Sequence, residues 1–567
     1  MHHRRRRLSA TGTRTVDDAA SADRAVHAQP SRKAGRRMKA SIRAAGVAIR
    51  QVAVLQRAGM IDLRHPARTA RKAGAVRALG PIAGGVRSSA ARYPGRIALV
   101  TAAGSLTYKE LDERTDALAQ HWLDRGVGSA DVVAALCRDN ALLVETMVAT
   151  AKLGARLVLM NTGFSAAQLG DVAAREKVSA VVADSEFDDV IATLPISTVR
   201  LDARSEHVER LVHDRVVSGS AFPAPASQGG FVLLTGGTTG TPKGAPRRVE
   251  SPLAGAQFLD RVPLRPGQSI LLCAPLFHGT ALSQFILGLN LGATIVLHGR
   301  FEAKRALAQI AEYRCAAVVL VPTMLHRILE LGEDVIRGYD TTSLRIVFTA
   351  GAALPTTLGN RAIEIFGPVI YNFYGCTETG TATIATPADW QAAPGTVGKP
   401  PVGIVVALFD GAGTRVVEPG RIGTVYVGNS IAFAGYSGGG SKKVVDGLMS
   451  TGDLGHFDAD GRLFIDGRDD DMIVSGGENV FPGEVEDLLY THPAVAEAAV
   501  IGVLDEEFGQ RLAAFVVRRG DIDDGEVRAY VKQNLARFKA PRDVIFLDAI
   551  PRTPTGKIDR RRLAEQR

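Results

Sequence analysis

The sequence predicts an α/β protein with a large N-terminal domain of β-sheets and helices and a small α+β C-terminal domain. Short apolar runs such as VVAAL (132–136), SAVVAD (179–184) and AAVVLVP (316–322) alternate with helical segments, and Gly, Asp or Pro separates them. Buried strands that alternate with helices are typical of largely parallel sheets. Beyond Arg468 the pattern becomes a shorter α+β one. A chain of 567 residues is long enough for two or more domains.

The N-terminus is far more basic than the rest of the chain. Residues 1–90 contain 20 Lys and Arg against 4 Asp and Glu, whereas the remainder contains 48 basic and 55 acidic residues. The net charge of +9 therefore belongs to an extension, and we expect no nucleic-acid partner for the body. Residues 1–37 are Arg-rich and poor in large apolar groups, so we expect a disordered basic segment.

Residues 38–90 are predicted to be a basic helical extension. From Met38 to about Arg64, arginines recur every seven residues and share one helical face: Arg43, Arg50, Arg57 and Arg64. Small and apolar residues lie broadly opposite: Ala45, Ala48, Ile49, Val52 and Leu55. Two interpretations stay open. The helix either contacts an anionic membrane surface, or packs on the protein's own body with its arginines in water.

Neither a membrane span nor a secreted fold is expected. No apolar run approaches the roughly 18 residues of a spanning helix, and the arginines at the N-terminus are not followed by the apolar segment of a secretory signal. The cysteines are scattered without a CxxC pair, which argues against zinc and disulfides: Cys137, Cys273, Cys315 and Cys376. We expect a cytoplasmic protein, peripheral to the inner face of the membrane if the basic helix binds lipid. The oligomeric state stays open.

The body begins near residue 91 with a predicted helix over YKELDERTDALAQHWLDRG (108–126) and reaches an unusual loop, LLTGGTTGTPKGAP (233–246). The apolar FVLL that leads into the loop predicts a buried strand. Glycines let backbone N–H groups approach an anion, threonines add hydroxyl donors, and Lys243 adds a charge. The spacing differs from GxxxxGK[ST], because Pro242 precedes the lysine. Taken alone, the loop is either a polyphosphate site or a mobile turn.

Three further motifs follow in order: YNFYGCTETG (371–380), MSTGDLGHFDADGRLFIDGRDDDMIVSGGENVFPGEVE (449–486) and IPRTPTGKIDRRRL (550–563). Together with the loop they resemble the AMP-forming adenylate synthetases, the superfamily of acyl-CoA synthetases, peptide-synthetase adenylation domains and firefly luciferase. The resemblance covers about residues 92–563. It implies a nucleotide- and acyl-binding domain over residues 91–467 and a small, mobile C-terminal domain over residues 468–567.

The resemblance implies ATP, Mg²⁺ and CoA, and it assigns the phosphate side of the site. Attack of a carboxylate on the α-phosphate concentrates negative charge, which loop amides, hydroxyls, a lysine and a metal can stabilise. The implied loop residues are Thr235, Gly237, Thr238, Thr239, Gly240 and Lys243. Gly236 stands where the family often has serine, so one donor is missing. Glu378 is implied to bind Mg²⁺ and Thr377 the α-phosphate.

The remaining nucleotide residues follow from the same motifs. The implied adenine wall consists of Gly351, Ala352 and Ala353, together with Asn372, Tyr374 and Gly375 of the YNFYG motif. An aromatic ring against a purine contributes about 1–3 kcal/mol. Asp453 and Arg468 are implied to hold the ribose hydroxyls, since a carboxylate can accept hydrogen bonds from two vicinal hydroxyls.

The C-terminal domain is implied to supply both a catalytic lysine and the thiol side. Lys557 would reach the substrate carboxylate and the α-phosphate during adenylation. Asp470 stands at the family's hinge, where the small domain rotates after adenylation. The segment that would then line the thiol tunnel includes Ser475, Gly476 and Gly477.

The acyl side is the least legible part of the sequence. His278 matches a family position near the reacting carboxylate and is expected to order the pocket. The apolar segment 279–297 is either a wall for a fatty chain or a core helix followed by a strand. We expect an AMP-forming fatty-acid–CoA ligase for a medium- or long-chain acid. The alternatives are a fatty acyl-AMP ligase that serves a carrier protein, and a catalytically silent nucleotide or lipid sensor.

Overall fold

The structure is a computed structural model. It describes residues 45–195, 198–218, 222–235, 242–248, 251–429, 435–468, 473–475, 478–505, 509–535, 539–553 and 556–566. The predicted disordered segment, residues 1–37, lies outside the described residues, as do residues 38–44 of the predicted helical extension.

The helices are numbered in chain order. They are α1 (residues 45–57), α2 (Pro66–Arg92), α3 (Tyr108–Asp124), α4 (Ala141–Leu153), α5 (Ala166–Glu176), α6 (Asp188–Ile191), α7 (Ser205–Ser218), α8 (Ala256–Leu259), α9 (Gly279–Leu291), α10 (Ala303–Glu312), α11 (Pro322–Leu329), α12 (Glu333–Arg337), α13 (Thr356–Phe366), α14 (Pro387–Ala392), α15 (Pro482–Tyr490), α16 (Asp524–Asn534) and α17 (Arg560–Glu565). A 3₁₀ turn at Ser185–Phe187 precedes α6.

The strands are β1 (Ile97–Thr101), β2 (Gly104–Thr107), β3 (Val132–Leu136), β4 (Arg156–Leu159), β5 (Ala180–Ala183), β6 (Val199–Arg200), β7 (Phe231–Thr235), β8 (Lys243–Arg247), β9 (Ser269–Leu272), β10 (Thr294–Leu297), β11 (Cys315–Leu320), β12 (Ile346–Thr349), β13 (Ile370–Cys376), β14 (Gly380–Ala385), β15 (Val405–Phe409), β16 (Arg415–Val416), β17 (Gly423–Gly428), β18 (Val444–Val445), β19 (Leu448–Phe457), β20 (Leu463–Arg468), β21 (Ile473–Ser475), β22 (Glu478–Val480), β23 (Val495–Asp505), β24 (Gly509–Arg518) and β25 (Asp543–Leu547).

Two largely parallel sheets form the centre of the large domain. The first has the order β14-β13-β12-β11-β9-β10-β1-β2 and is antiparallel only at its two edges. The second has the order β6-β5-β3-β4-β7-β8, with β8 antiparallel. The predicted strands are confirmed as β3, β5 and β11, and the predicted helix as α3, whose Thr107 and Glu110 form a capping box.

Two further sheets complete the fold. An antiparallel sheet of order β16-β15-β17-β19-β18, with β20 beside β19, follows the parallel sheets along the chain. Beyond Arg468, the order is β22-β21-β24-β23, with β25 parallel to β24 and with α15 and α16 packed nearby. The predicted fold class, a large α/β domain with a small α+β domain, is confirmed.

The main core fills the space between the two parallel sheets. Fully buried side chains of α3 and α9, such as Trp122 and Phe285, pack there against strand residues such as Leu272 and Val133. No helix within the described ranges is long and apolar enough to cross a membrane.

Residues 45–92 belong to this core, because Val54, Leu55, Ile82 and Val86 are buried in the same cluster. The two halves of α2 meet at a break at Gly80, which has a φ of 76° and is followed by Pro81. Helices α1 and α2 thus share one hydrophobic core with the strands that follow them.

The predicted arginine face of the N-terminal helix is wrong in detail. Helix α1 ends at residue 57, two residues before Gly59, whose φ is +74°, so Arg64 lies beyond the helix. Ile49, predicted on the packed face, is 69% exposed, whereas Val54 is 3% exposed. The helix therefore packs on the protein's own body with Arg50 in water.

Candidate active site

The carboxyl ends of neighbouring parallel strands bring the predicted residues together. The chain leaves β9 toward His278, leaves β12 toward Gly351, and continues from β13 to Thr377 and Glu378. Ligands of open α/β sheets bind at this edge of the sheet. Sequence positions that are about 100 residues apart therefore face one cleft.

The cleft is a single continuous cavity of about 1880 Å³. It is lined by residues of the large domain and of the C-terminal part of the chain, among them His278, Glu378, Asp453 and Lys557. Pockets that bind small molecules usually have volumes of about 300–1,000 Å³. A cavity larger than this can hold a nucleotide and a second substrate side by side.

The predicted phosphate loop connects two paired strands. Thr235 at the end of β7 pairs with Lys243 at the start of β8. The Lys243 ammonium is exposed and lies 5.4 Å from the centre of the Tyr436 ring. The remaining predicted loop residues lie outside the described residues: Gly237, Thr238, Thr239 and Gly240.

Glu378 is a buried carboxylate at the wall of the cavity, 8% exposed. Its Oε1 accepts a hydrogen bond from the Tyr436 hydroxyl at 2.5 Å. Burial and this hydrogen bond raise the pKa of Tyr436, so the hydroxyl keeps its proton. The neighbouring Thr377 carbonyl accepts a hydrogen bond from Arg247, which is 6% exposed. The half-buried Tyr436 and the buried Arg247 thus hold the Thr377–Glu378 turn in place.

Asp453 and Arg468 meet as partners on adjacent antiparallel strands, β19 and β20. The Arg468 guanidinium lies 3.7 Å from Asp453 Oδ1. The Tyr374 hydroxyl donates to Asp453 Oδ2 at 2.6 Å and lies 3.1 Å from the Thr451 hydroxyl. Burial raises the pKa of Asp453, whereas the hydrogen bond from Tyr374 and the charge of Arg468 lower it.

The predicted adenine wall is divided between exposed and buried groups. Gly351, with a φ of 91°, is exposed after β12, as are Ala352 and Ala353. Asn372 is 3% exposed, and its side-chain amide donates to the Thr396 carbonyl, so it ties β13 to the following segment. Gly375 follows Tyr374 on β13 and also lines the cavity.

His278 begins α9 and borders the cavity. Its Nε2 is buried and has no hydrogen-bond partner among the described residues. Burial, with a contribution from the charge of Lys557, lowers the pKa of His278 to about 4. The ring is therefore neutral near pH 7, and its unpaired nitrogen is available to a ligand.

Lys557 stands on a turn of the C-terminal domain that is inserted into the cleft. The turn contains Gly556, which has a φ of +81°. A Cβ atom at this position would lie 3.2 Å from the Thr323 hydroxyl at the start of α11. The Lys557 side chain is exposed to the cavity, and its charge acts on both His278 and Asp453. The structure therefore places this lysine on the same cavity as residues that are about 180 positions away in the sequence, for example Glu378.

The predicted thiol side and hinge are mostly untested by the geometry. Asp470, Gly476 and Gly477 lie outside the described residues. Ser475 is the last residue of β21, and its backbone pairs with Gly509 of β24. The roles of these residues stay predictions.

Sequence reasoning missed two residues that shape the wall of the cleft around Glu378. The sequence gives no signal for Tyr436, because a glycine-rich stretch follows it, SGGGSKK (437–443), and such a composition is typical of flexible surface loops. In the structure, Ser437 donates to the Gly244 carbonyl at 3.0 Å, which holds this turn beside β8. Arg247 was missed because only its burial beside Thr377 distinguishes it from a surface arginine.

Comparison with known proteins finds two family matches along the chain. Residues 86–437 match the AMP-binding enzyme family, and residues 484–557 match the AMP-binding enzyme C-terminal domain. Lys557 is the last residue of the second match. The two matches together contain every predicted site residue except those between positions 438 and 483.

Curated relatives and solved structures agree with these matches. The chain is 30% identical over 477 residues to 2-succinylbenzoate–CoA ligase of Bacillus mycoides, covering 83% of this chain and 95% of that protein. It is 32% identical over 488 residues to indoleacetate–CoA ligase of Aromatoleum aromaticum, covering 82% and 94%.

Among solved structures, o-succinylbenzoate CoA synthetase of Bacillus subtilis, in complex with its acyl-adenylate intermediate, superposes with a TM-score of 0.73 at 28% identity, covering 84% of this chain and 97% of that one. The fatty acyl CoA synthetase of Mycobacterium tuberculosis superposes with a TM-score of 0.66 at 28% identity, covering 86% and 98%.

Proposed function

Because the chain belongs to the AMP-binding enzyme family and is an AMP-forming CoA ligase, we propose that its acid has a long apolar body, as a medium- or long-chain fatty acid has. The enzyme forms an acyl-adenylate from the acid and ATP and then a thioester with CoA. The identity of the acid is the part that we propose.

One observation carries the proposal: an apolar face of α9 borders the cavity that also holds the adenylation residues. Helix α9 starts directly after His278 and runs for 13 residues, which is about 20 Å. Three apolar side chains at helical spacing border the cavity, Leu282, Ile286 and Leu287. Three polar side chains of the same helix also border it: Thr280, Ser283 and Asn290. An extended acyl chain can lie along this face while its carboxylate stays near His278.

In the first step the acid's carboxylate oxygen forms a bond to the α-phosphorus of ATP, and pyrophosphate leaves with the electron pair of the broken bond. Lys557 brings a positive charge to the two anions, which otherwise repel each other. Neutral His278 orders the carboxylate end of the pocket. Asp453 holds the ribose hydroxyls, and Tyr374 fixes the orientation of that carboxylate.

The residues present fit a Mg²⁺ ion, because the buried Glu378 carboxylate supplies the hard oxygen ligand that this ion prefers. Its other ligands would be phosphate oxygens and water, as is usual where Mg²⁺ accompanies a nucleotide. When bound, the ion would neutralise charge on the triphosphate. Tyr436 and Arg247 hold the turn that carries Glu378.

In the second step the CoA thiol loses its proton to water, its sulfur forms a bond to the acyl carbon, and AMP leaves with the electron pair of the broken bond between the acyl carbon and the phosphate oxygen. Lys557 is not required at the reacting carbonyl in this step. We propose that the C-terminal domain rotates near Asp470 and presents the segment around Ser475 to the thiol.

A second candidate acid is aromatic, and the two curated relatives favour it, because they are named for 2-succinylbenzoate and indoleacetate. An aromatic acid would occupy only the part of the cavity next to His278. The acids therefore differ in how far along α9 they reach.

The test uses the purified full-length chain with Mg-ATP, with and without CoA, and acids from acetate to oleate together with benzoate and indoleacetate. AMP and acyl-CoA are followed by mass spectrometry. CoA-dependent thioester on medium or long fatty acids supports the proposal. Thioester on aromatic acids alone contradicts it and favours the second candidate.

Substitution of Ile286 sharpens the test, because its side chain borders the cavity at mid-length of α9. Ile286→Trp is expected to shift the preferred acid to a shorter chain, since the larger ring occupies the space of several methylenes. The matched variant Ile286→Leu keeps the volume and is expected to keep the preference. An unchanged chain-length profile in Ile286→Trp would show that the bound acid does not lie along α9.

A further inference from the structure

A basic group stands at the far end of the acid cavity, on the part of α2 that precedes the family match. The first half of α2 borders the cavity with residues at helical spacing: Thr69, Lys72 and Val76. The AMP-binding enzyme match starts only at residue 86. This wall of the cavity is therefore built by a part of the chain that lies outside the matched region.

Lys72 connects this wall to the end of α9. Its ammonium donates to the Met60 carbonyl at 2.9 Å and to the carbonyl of Asn290, the penultimate residue of α9. Because α9 begins after His278, the two ends of the helix separate Lys72 from His278 by about one helix length, roughly 20 Å. Lys72 thus lies at the opposite end of the cavity from the reacting carboxylate.

The charge of Lys72 has no anionic partner among the described residues. Among these residues, no carboxylate lies within 4.0 Å of its Nζ. The charge that acts on the pKa of Lys72 is that of another cation, Arg92. An ammonium has three donors, and the two backbone carbonyls occupy two of them. Burial, assisted by Arg92, lowers the pKa of Lys72 to about 7. A half-buried cation of this kind is stabilised by a hydrogen-bond acceptor or an anion at the remaining donor.

We propose that Lys72 binds an oxygen acceptor, such as a second carboxylate, at the end of the acid remote from the carboxylate that is adenylated. The inference rests on the proposed function, in which the acid lies along α9. It makes the acid bifunctional: an apolar body with a polar terminus. Lys72 is then a specificity residue that takes no part in the transfer of the adenylyl group.

Matched pairs of acids test this assignment. Dicarboxylic acids from octanedioic to hexadecanedioic acid are compared with the monocarboxylic acids and the ω-hydroxy acids of equal length, by kcat/KM for acyl-CoA formation. A charge-assisted hydrogen bond at Lys72 is expected to favour the dicarboxylic acid of the fitting length by about 10- to 100-fold. A hydroxy acid that is favoured equally identifies a neutral acceptor, whereas preference for the dicarboxylic acid alone identifies a second carboxylate.

The variant Lys72→Met keeps the length of the side chain and removes the charge. It is expected to abolish the preference while leaving kcat/KM for the monocarboxylic acid within about twofold, and Lys72→Arg is expected to restore part of the preference. Lys109→Met, at an exposed lysine of α3 away from the cavity, is the matched control. Equal kcat/KM for the paired acids, or a preference that survives in Lys72→Met, overturns the inference.

A binding measurement separates this inference from the proposed function. Calorimetric titration of the dicarboxylic acid into the protein, without ATP, should show weaker binding to Lys72→Met than to the unchanged protein. Equal affinities overturn the role of Lys72 whether or not the acid is turned over. Absence of AMP formation with every acid, by contrast, contradicts the proposed fatty-acid function.

Discussion

Removal of the Tyr374 hydroxyl tests how the carboxylate of Asp453, the predicted ribose ligand, is held. Tyr374 donates to Asp453 Oδ2 at 2.6 Å, whereas the Arg468 guanidinium lies 3.7 Å from Asp453 Oδ1. Tyr374→Phe therefore removes the shortest hydrogen bond to Asp453 while keeping the ring beside the cavity. A hydrogen bond to a charged group contributes about 1.5–3 kcal/mol, which corresponds to about 10- to 150-fold in affinity.

We expect the KM for ATP to rise by about this factor in Tyr374→Phe, with a smaller change in kcat. The pH dependence provides a second signature. The hydrogen bond from Tyr374 lowers the pKa of Asp453 against the opposing effect of burial. Its loss raises that pKa further, so the carboxylate becomes protonated at a higher pH as the solution is acidified. The acidic limb of kcat/KM for ATP should move to higher pH.

The assay is pyrophosphate release at varied ATP and pH, with the acid saturating. Tyr426→Phe is the matched control. Tyr426 is 3% exposed, lies in the antiparallel sheet that contains Asp453, and packs on Phe409. It should change neither the KM nor the acidic limb. A Tyr374→Phe protein with an unchanged KM for ATP and an unchanged acidic limb would refute the role given to this hydrogen bond.

Four further predictions follow from the geometry. Lys557→Ala should reduce pyrophosphate release by orders of magnitude yet keep thioester formation from supplied acyl-AMP; unchanged pyrophosphate release would remove Lys557 from adenylation. His278, with a pKa lowered to about 4 by burial, should contribute no limb to the pH–rate profile between pH 6 and 8, and a limb near 6.5 that disappears in His278→Gln would contradict this. Gly359→Ala should lower the melting temperature by about 1–3 °C, because its Cβ would lie 2.3 Å from the buried ring of Trp390 and such overpacking costs about 1–3 kcal/mol; an unchanged or higher melting temperature would show that the ring moves aside. Anionic vesicles should co-sediment with the intact chain more than with an Arg50→Glu variant if the N-terminal helix contacts lipid, and equal partition would sink that prediction.

The family and much of the site were predictable from the sequence because their signals are local. The loop around Lys243, the turn that contains Glu378 and the loop that contains Lys557 each combine glycines, hydroxyls and a charge within a few positions. Such chemistry needs particular residue types at short spacing, so it is visible without a fold. The matches to the AMP-binding enzyme family and its C-terminal domain confirm the family, and the roles of individual residues stay predictions.

The N-terminal helices show why other features could not be predicted. Periodicity alone placed Ile49 on the packed face of α1, yet Ile49 is exposed and Val54 is buried. Which face of a helix packs depends on the surface it meets, and here that surface is formed by segments hundreds of residues away, such as the one containing Gly403. The pairing of Tyr436 with Glu378 depends in the same way on a contact between distant segments.

The sequence by itself determined the fold class, the adenylating chemistry and the residue types that perform it, since each of these depends on patterns within a short stretch of chain. The tertiary structure alone decided that the strand ends converge on one cavity, that Tyr374 and Tyr436 donate hydrogen bonds to Asp453 and Glu378, and that Lys72 lies at the end of α9 remote from His278. The physical reason is that burial, charge environment and distance are properties of groups that meet in space. A lysine among carbonyls in a cavity and a lysine in water have the same sequence signal.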